Sequence, residues 1–191
     1  VGDFNGFIQY FENTGDGDNV TFSFVENVAN IDLSGNSVPT LGDLDGDGDL
    51  DLLIGQLNGS LVFYRNIGDS LEYDFQEETF DNISVENNSA PELMDTDSDG
   101  DLDLVLGSAE EGLFFYQNLG NSNDYQFQID ICESVPSIGV NIKPTMGYLF
   151  NNGEIMDIIT GLSTGGLYHL QTEICSAPLG DLDYNGGFNI L

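Results

Sequence analysis

Short apolar runs separated by polar, glycine-rich turns follow one another along the chain, and no helical period accompanies them. Residues 51–54 form an almost continuous apolar run that stops at Gly55, as expected of a strand covered on both faces. Residues 73–80 alternate between apolar and polar positions, which indicates an outer strand with one face in water. The pattern predicts a chain made of short β-strands.

Four strands of this kind form one unit. The Asn58-Gly59 turn that precedes the third strand is a strong hairpin signal, because both residues tolerate positive φ. In the best-defined unit the predicted strands span residues 39–44, 51–54, 61–65 and 73–80. Residues 20–25 and 125–131 alternate like the fourth strand, so each belongs to a neighbouring unit.

The unit repeats at a spacing of 52 or 53 residues. Residues 39–55 return as 91–107 and again, in degraded form, as 144–161. Residues 1–15 carry the second half of the same unit at an offset of 53, so the sequence opens in mid-unit. We expect units that start near 38, 90 and 143, with a partial unit over 1–30.

Such a period favours one architecture. Four-stranded units of this length cannot bury their own faces and must pack on one another. A β-sandwich lacks the period, and a calcium β-roll repeats about every nine residues. The sequence therefore predicts an all-β fold of β-propeller blades, each a four-stranded antiparallel sheet, in a partial propeller of about three to four units over residues 1–175.

The composition limits the partners. The 191 residues include 34 acidic residues but only Arg65 and Lys143 as basic ones, which gives a net charge of −32. Nucleic acid and anionic membrane surfaces would repel such a chain, and no window approaches the roughly 18 apolar residues of a membrane span. Cys132 and Cys175 fit either one disulfide in an oxidising compartment or two free thiols. Cations are the expected counterpart, with no binding of nucleic acid and no membrane insertion.

Two acidic loops share one spacing, D-x-D-x-D-G-D-x-D, between the first and second strand of a unit. Carboxylates at positions 1, 3, 5 and 9 and a main-chain carbonyl at position 7 supply the oxygen ligands of Ca²⁺, and glycine at position 6 permits the sharp turn. The predicted metal residues are Asp43, Asp45, Asp47, Asp49 and Asp51 in the first loop, and Asp95, Asp97, Asp99, Asp101 and Asp103 in the second.

Two further loops are expected to behave differently. The third unit places Tyr148, Phe150 and Asn152 at positions 1, 3 and 5, so we predict that it binds no metal. The segment 176–191 is predicted to be a linker followed by an incomplete EF-hand-type loop, in which a third calcium site would be weak. Its ligands would be Asp181, Asp183, Asn185, Gly187 and Asn189.

The acidic loop, the apolar strand and the Tyr-x-Asn-x-Gly stretch within residues 43–68 and 95–120 resemble the FG-GAP/VCBS repeat family. The resemblance implies a β-propeller of the integrin α-subunit kind, with calcium in the loop that joins the first two strands of a blade. Residues 180–191 resemble the first calcium loop of a dockerin, a module found in exported bacterial proteins. We therefore expect a secreted or cell-surface protein of bacterial origin.

A binding role is favoured over catalysis. The only histidine, His169, aligns with strand aromatics, and every clustered aspartate is explained by a metal loop. The leading hypothesis is an extracellular calcium-binding module with a structural, adhesive or ligand-binding role toward a protein or polysaccharide, not an enzyme. Two alternatives remain: an accessory or catalytic propeller of a secreted polysaccharide-degrading enzyme, and a self-assembling surface or filament subunit joined through open blade edges.

Overall fold

A computed structural model describes residues 1–17, 19–33, 35–69, 72–80, 82–136, 142–148, 156–161, 165–172 and 189–190. This part of the chain is all-β, with no helix, and so it holds no helix long and apolar enough to cross a membrane. The predicted fold class is confirmed. Cys175 lies outside the described residues, so both alternatives for the cysteines stay predictions.

The strands fall into four antiparallel sheets. The first sheet holds β1 (Phe7–Asn13) and β2 (Phe22–Asp32). The second holds β3 (Val38–Gly42), β4 (Asp51–Gly55), β5 (Leu61–Asn66) and β6 (Phe75–Glu78). The third holds β7 (Ala90–Met94), β8 (Asp103–Gly107), β9 (Gly112–Asn118) and β10 (Phe127–Pro136). The fourth holds β11 (Lys143–Gly147), β12 (Met156–Gly161), β13 (Leu167–Thr172) and β14 (Asn189–Ile190).

Each four-stranded sheet is a simple meander, in which consecutive strands lie side by side. The register of one sheet is repeated in the next, since Leu52 faces Tyr64 in the second sheet and Leu104 faces Tyr116 in the third. The two-stranded first sheet corresponds to β5 and β6, as the partial unit requires. A bridge between Gly2 and Ile8 even matches the Gly55–Leu61 pair, 53 residues later.

Several strand ends differ from the sequence prediction. β3 stops before residues 43–44, because Leu44 gives its N–H to the Asp51 carboxylate and already belongs to the acidic loop. β6 is shorter than 73–80, because Asp74 is held in a turn by Asn66 and Phe80 turns inward against Phe63. β2 and β10 run beyond 25 and 131, and register shifts interrupt both of their pairings.

The core lies between the sheets. Leu52 and Ile54 of β4 pack against the first sheet, whereas Leu53 between them packs toward Leu104 of the third sheet. Val105 of β8 in turn meets Ile158 of the fourth sheet. Because both faces of the second strands are covered, their side chains are buried, and each such aliphatic side chain contributes about 1.5–3 kcal/mol. The sheets therefore stack face to face like successive blades.

A serine fixes the approach of one sheet to the next. Ser89, just before β7, accepts the N–H of Gln56 through its hydroxyl at 2.8 Å and donates to the Ser60 carbonyl at 2.7 Å. Ser37 makes the equivalent bonds to Asp3 and Phe7, 34 and 30 residues before it. These buried hydroxyls link the hairpin between the second and third strands of one sheet to the first strand of the following sheet.

Candidate metal centre

Both acidic loops lie at the same place in consecutive sheets. Residues 43–51 connect β3 to β4, and residues 95–103 connect β7 to β8. In each case the ninth residue of the loop is also the first residue of the second strand. The expected position of the loops, between the first two strands of a blade, is confirmed.

The first loop is wound around Asp43. Its two carboxylate oxygens accept the N–H groups of Gly46 at 2.7 Å and Gly48 at 3.0 Å. Gly48 has a φ of 97°, a conformation that L side chains rarely adopt, so position 6 needs a glycine. Ligand atoms of Asp43, Asp45 and Asp51 lie within 4.8 Å of one another. Positions 1, 3 and 9 thus converge.

The second loop repeats the winding around Asp95. Its oxygens accept the N–H groups of Ser98 at 2.7 Å and Gly100 at 3.2 Å. Here Asp95, Asp97 and Asp99 bring ligand atoms within 4.8 Å, so positions 1, 3 and 5 converge. The two loops share a backbone plan but differ in the third carboxylate that joins the cluster.

The aspartate at position 9 also ties the loop to the third strand. Asp51 accepts the N–H of Leu44 and the N–H of Asn66, both at 2.9 Å. Asp103 accepts the N–H of Thr96 at 2.9 Å and that of Asn118 at 2.8 Å. Burial raises the pKa of Asp51 and Asp103, although these hydrogen bonds counter the effect. Position 9 is therefore a structural bracket as well as a candidate ligand.

Asp101 carries the most unusual carboxylate of the second loop. Asp101 is only 8% exposed, and its Oδ1 is buried without a hydrogen-bond partner. Burial, then the adjoining carboxylate of Asp99, and then the charges of Asp103 and Asp97 together raise the pKa of Asp101 to about 6. A buried, unpartnered oxygen beside another carboxylate is costly unless a cation compensates it. The donor set of the loop therefore fits a divalent metal.

The remaining predicted ligands are placed less centrally. Asp47 is exposed, and its Oδ1 accepts the N–H of Asp49 at 2.9 Å. Partial burial raises the pKa of Asp49, and repulsion from Asp47 adds to this. Neither residue belongs to the converged set of the first loop. The sequence pattern predicts a main-chain carbonyl as the ligand at position 7, and it does not predict that the side chain of Asp101 is buried.

Sequence reasoning also missed the partners of position 3. Arg65 of β5 contacts Asp45, with Nη1 to Oδ2 at 2.8 Å. Gln117 of β9 donates to Asp97 through Nε2 at 2.7 Å. Burial lowers the pKa of Arg65, but the carboxylates of Glu78 and Asp45 outweigh it, so the net direction is upward. The sequence does contain a signal for these partners, because both residues stand at the same position of the repeat, directly before the asparagine of the Tyr-x-Asn stretch.

The third unit keeps the bracket residue but changes its partner. Asp157, which begins the apolar run of β12, is 1% exposed, and its Oδ1 lies 2.6 Å from Nε2 of His169 on β13. His169 occupies the strand position of Phe63, in agreement with its predicted placement in a strand. Tyr148 is exposed, and residues 149–155 lie outside the described chain. The absence of metal from this loop stays a prediction.

The predicted loop near the end of the sequence is only partly described. Asn189 lies in β14, paired with Gln171 of β13, and β14 is the fourth strand of the last sheet. Residues 181–188, with the other candidate ligands Asp181, Asp183, Asn185 and Gly187, lie outside the described residues. The division of the chain at 175 and the third calcium site remain predictions.

Comparison with known proteins gives one match. The family model of the FG-GAP-like repeat matches residues 43–106, a stretch that contains both acidic loops and the strands β4 to β7. No curated protein and no solved structure matches the chain. The match supports an FG-GAP-like repeat in this part of the molecule.

Proposed function

We propose that this chain is a calcium-binding, β-propeller-type repeat module whose FG-GAP-like blades are stiffened by metal. One observation carries the proposal: the buried, unpartnered Oδ1 of Asp101 lies in a loop where three further carboxylates converge. Carboxylates held this close repel one another in the metal-free loop. A bound cation removes that repulsion and compensates the negative charge of the buried carboxylate beside it.

Calcium suits the loops better than magnesium. Ca²⁺ takes six to eight oxygen ligands in flexible geometry, whereas Mg²⁺ requires a strict octahedron and keeps several waters. The first loop would hold the ion through Asp43, Asp45 and Asp51, and the second through Asp95, Asp97 and Asp99. When bound, the ion supplies positive charge and oxygen coordination. The chain itself supplies the fixed loop backbone and the position-9 bracket to the third strand.

The position of the loops supports a structural role. Each loop sits at the end of a sheet, and its bracket aspartate, which begins the second strand, accepts hydrogen bonds from the loop and from the third strand. Among the described residues, the converged acidic groups are those of the two loops. We therefore propose a non-enzymatic module that is adhesive, structural or ligand-binding toward a protein or polysaccharide. We propose a secreted or cell-surface location with this role, because extracellular calcium is concentrated enough to fill even weakly binding loops of this kind.

Counting bound ions tests the proposal. The chain is equilibrated with calcium, separated from free metal by gel filtration, and its metal content is measured. We expect the Asp43→Asn, Asp95→Asn double variant to hold two ions fewer than the wild type. Asp124→Asn, a change of an exposed aspartate outside the loops, serves as control and should hold as many as the wild type. Equal metal content in the wild type and the double variant would contradict the proposal.

A further inference from the structure

The two loops differ in the charge of the side chain that reaches position 3. In the second sheet, Arg65 holds Oδ2 of Asp45 at 2.8 Å. In the third sheet, Gln117 holds Oδ2 of Asp97 at 2.7 Å. Both contacts span 20 residues, and both donors stand on the third strand directly before the buried asparagine. The same oxygen is therefore bound by a cation in one loop and by a neutral amide in the other.

The guanidinium of Arg65 lies between two carboxylates. Its Nε also lies 3.1 Å from Oε1 of Glu78, on the neighbouring strand β6. The Asp45 side chain is only 12% exposed, so its contact with the guanidinium is shielded from water more than a surface pair would be. A guanidinium stays protonated at all ordinary pH values. The first loop thus contains a permanent positive charge on one of its three converged carboxylates.

The second loop contains more uncompensated negative charge. Gln117 adds no charge, and the buried Oδ1 of Asp101 has no partner. At the same position of the first loop, Asp49 is less buried. Charge balance therefore favours a cation more strongly in the second loop than in the first.

We infer that the two loops bind calcium with unequal affinity, the second loop tightly and the first loop weakly, and that residues 65 and 117 set this difference. The inference rests on the proposed calcium function. In the first loop, calcium must either displace Arg65 from Asp45 or bind beside it. Displacement costs free energy because an ion pair is broken, and binding beside Arg65 costs free energy because the two positive charges repel. In the second loop the amide of Gln117 steadies Asp97 without repelling the ion.

The consequence is stepwise filling. The loop of the third sheet fills at low calcium, and the loop of the second sheet fills only as the concentration rises. An opposite charge a few ångströms away changes the proton affinity of a carboxylate by one to three pKa units. We expect a difference in calcium affinity on the order of tenfold or more by the same reasoning.

Single-loop proteins allow each site to be measured alone by calorimetric titration with calcium. Asp95→Asn leaves the first loop, and Asp43→Asn leaves the second. We expect the Asp43→Asn protein to bind on the order of tenfold more tightly than the Asp95→Asn protein. Adding Arg65→Gln to the Asp95→Asn protein should tighten its binding toward that of the second loop. Adding Gln117→Arg to the Asp43→Asn protein should weaken its binding by a similar factor.

A matched variant separates charge from packing. Glu78→Gln in the Asp95→Asn protein removes one partner of Arg65 but leaves the guanidinium on Asp45, so binding should not tighten. Thermal unfolding of each variant in chelator shows whether it is folded before titration, and Gln117→Arg tests the inference should Arg65→Gln fail to fold. Equal affinities of the two loops, or an Arg65→Gln change that leaves affinity unchanged or lowers it, would overturn the inference. A wild-type protein that binds no calcium would instead refute the proposed function.

Discussion

In the second and third sheets, a single asparagine at the end of the third strand connects the acidic loop to the next turn. The backbone N–H of Asn66 is held by Asp51, and its own side-chain oxygen accepts the N–H groups of Gly68 at 3.2 Å and Asp74 at 2.9 Å. Asn118 repeats the arrangement with Gly120 and Gln126. The Tyr-x-Asn-x-Gly pattern thus has a structural reason, because the asparagine shapes the turn between the third and fourth strands.

Removal of this side chain should destabilise the fold independently of calcium. Asn66→Ala removes the buried acceptor of two part-buried backbone N–H bonds, which costs about 1–2 kcal/mol in the free energy of unfolding. Chemical denaturation in chelator measures the loss. Asn13→Ala is the matched control, because Asn13 is exposed and, in the described part of the chain, its side chain accepts the N–H of Gly15 alone, so its loss should be much smaller. Equal losses in both variants would contradict the role assigned to Asn66.

At the residue scale, the sequence predicted those residues whose chemical type is the same in successive repeats. The aspartates of both loops were predicted as metal ligands because their spacing matches a known ligand pattern. Arg65 and Gln117 were missed, because they share a position but no chemical type, and the pattern around them names only Tyr and Asn. Ser37 and Ser89 were missed for a different reason: a buried hydroxyl that links two sheets is visible only once the sheets are placed side by side.

At the scale of elements, the close approach of successive sheets depends on a glycine at the end of each second strand. A Cβ at Gly55 would lie 2.1 Å from the carbonyl oxygen of Ser89, and one at Gly107 would lie 2.2 Å from that of Ile142. Such distances are well inside van der Waals contact. These glycines are required by the neighbouring sheet and not by their own backbone conformation.

Gly55→Ala should therefore separate the second and third sheets. The added methyl group must push back a backbone carbonyl, and we expect a loss of about 3 kcal/mol in the free energy of unfolding. Gly161 is the matched control, because it ends the second strand of the fourth sheet and, among the described residues, a Cβ there would meet only Leu167 at 3.9 Å. Thermal or chemical unfolding compares the two variants. A Gly161→Ala loss as large as that of Gly55→Ala would show that the approach of the next sheet is not the cause.

The first strands of the third and fourth sheets carry a half-buried carboxyl between them. Glu92 of β7 accepts a hydrogen bond from Thr145 of β11 at 3.4 Å. Burial raises the pKa of Glu92 above its ordinary value of 4.5, and the bonds from Thr145 and the Met146 backbone offset only part of this rise. The folded state therefore holds this proton more firmly than the unfolded chain does.

The sign of the pH dependence follows. Because the folded-state pKa is raised, the contribution of Glu92 is most favourable near and below pH 4.5 and is lost as the pH rises through the raised pKa. Glu92→Gln should be more stable than the wild type at neutral pH, and the difference should shrink on acidification. Unfolding curves across this range measure it, with the exposed Glu12→Gln as control. A variant whose advantage is constant with pH would contradict the account.

The elements themselves were predicted well where burial fixes both ends. The second strands follow the sequence prediction to within one residue, because Asp51 and Gly55 each have a defined contact at the strand end. The fourth strands were predicted poorly, because alternation continues into turns: Phe80 continues the pattern but packs into the core with Phe63. The alternation of apolar and polar residues indicates which side chains face the core, but it does not show which residues are still hydrogen-bonded to the neighbouring strand.

At the scale of the whole molecule, large apolar side chains are exposed on the first and last sheets that the structure describes. The first sheet exposes Phe22 at 63% and Phe24 at 55%, and the last sheet exposes Leu167 at 77%. The repeat period predicted stacked sheets, and the structure shows this stacking. The number of blades could not be predicted, because every blade contacts only its neighbours and no local pattern counts them.

Self-association through these sheets stays a prediction and can be measured. The net charge of −32 opposes contact between copies, so association should appear mainly in salt concentrated enough to screen that charge. Sedimentation at several protein concentrations, with calcium and with chelator, gives the mass of the particle. Phe22→Glu combined with Phe24→Glu should reduce any association. A monomer under all of these conditions would remove the self-assembling alternative.

The central claim is that calcium in both acidic loops stabilises the stacked sheets, and thermal unfolding against calcium concentration tests it most directly. Each filled site adds about 2.7 kcal/mol when free calcium exceeds its dissociation constant a hundredfold. The account predicts that the melting temperature of the wild type rises with calcium, while the Asp43→Asn, Asp95→Asn double variant shows almost none of this rise. A wild-type melting temperature that is the same in calcium and in chelator, or an equal rise in the double variant, would contradict it.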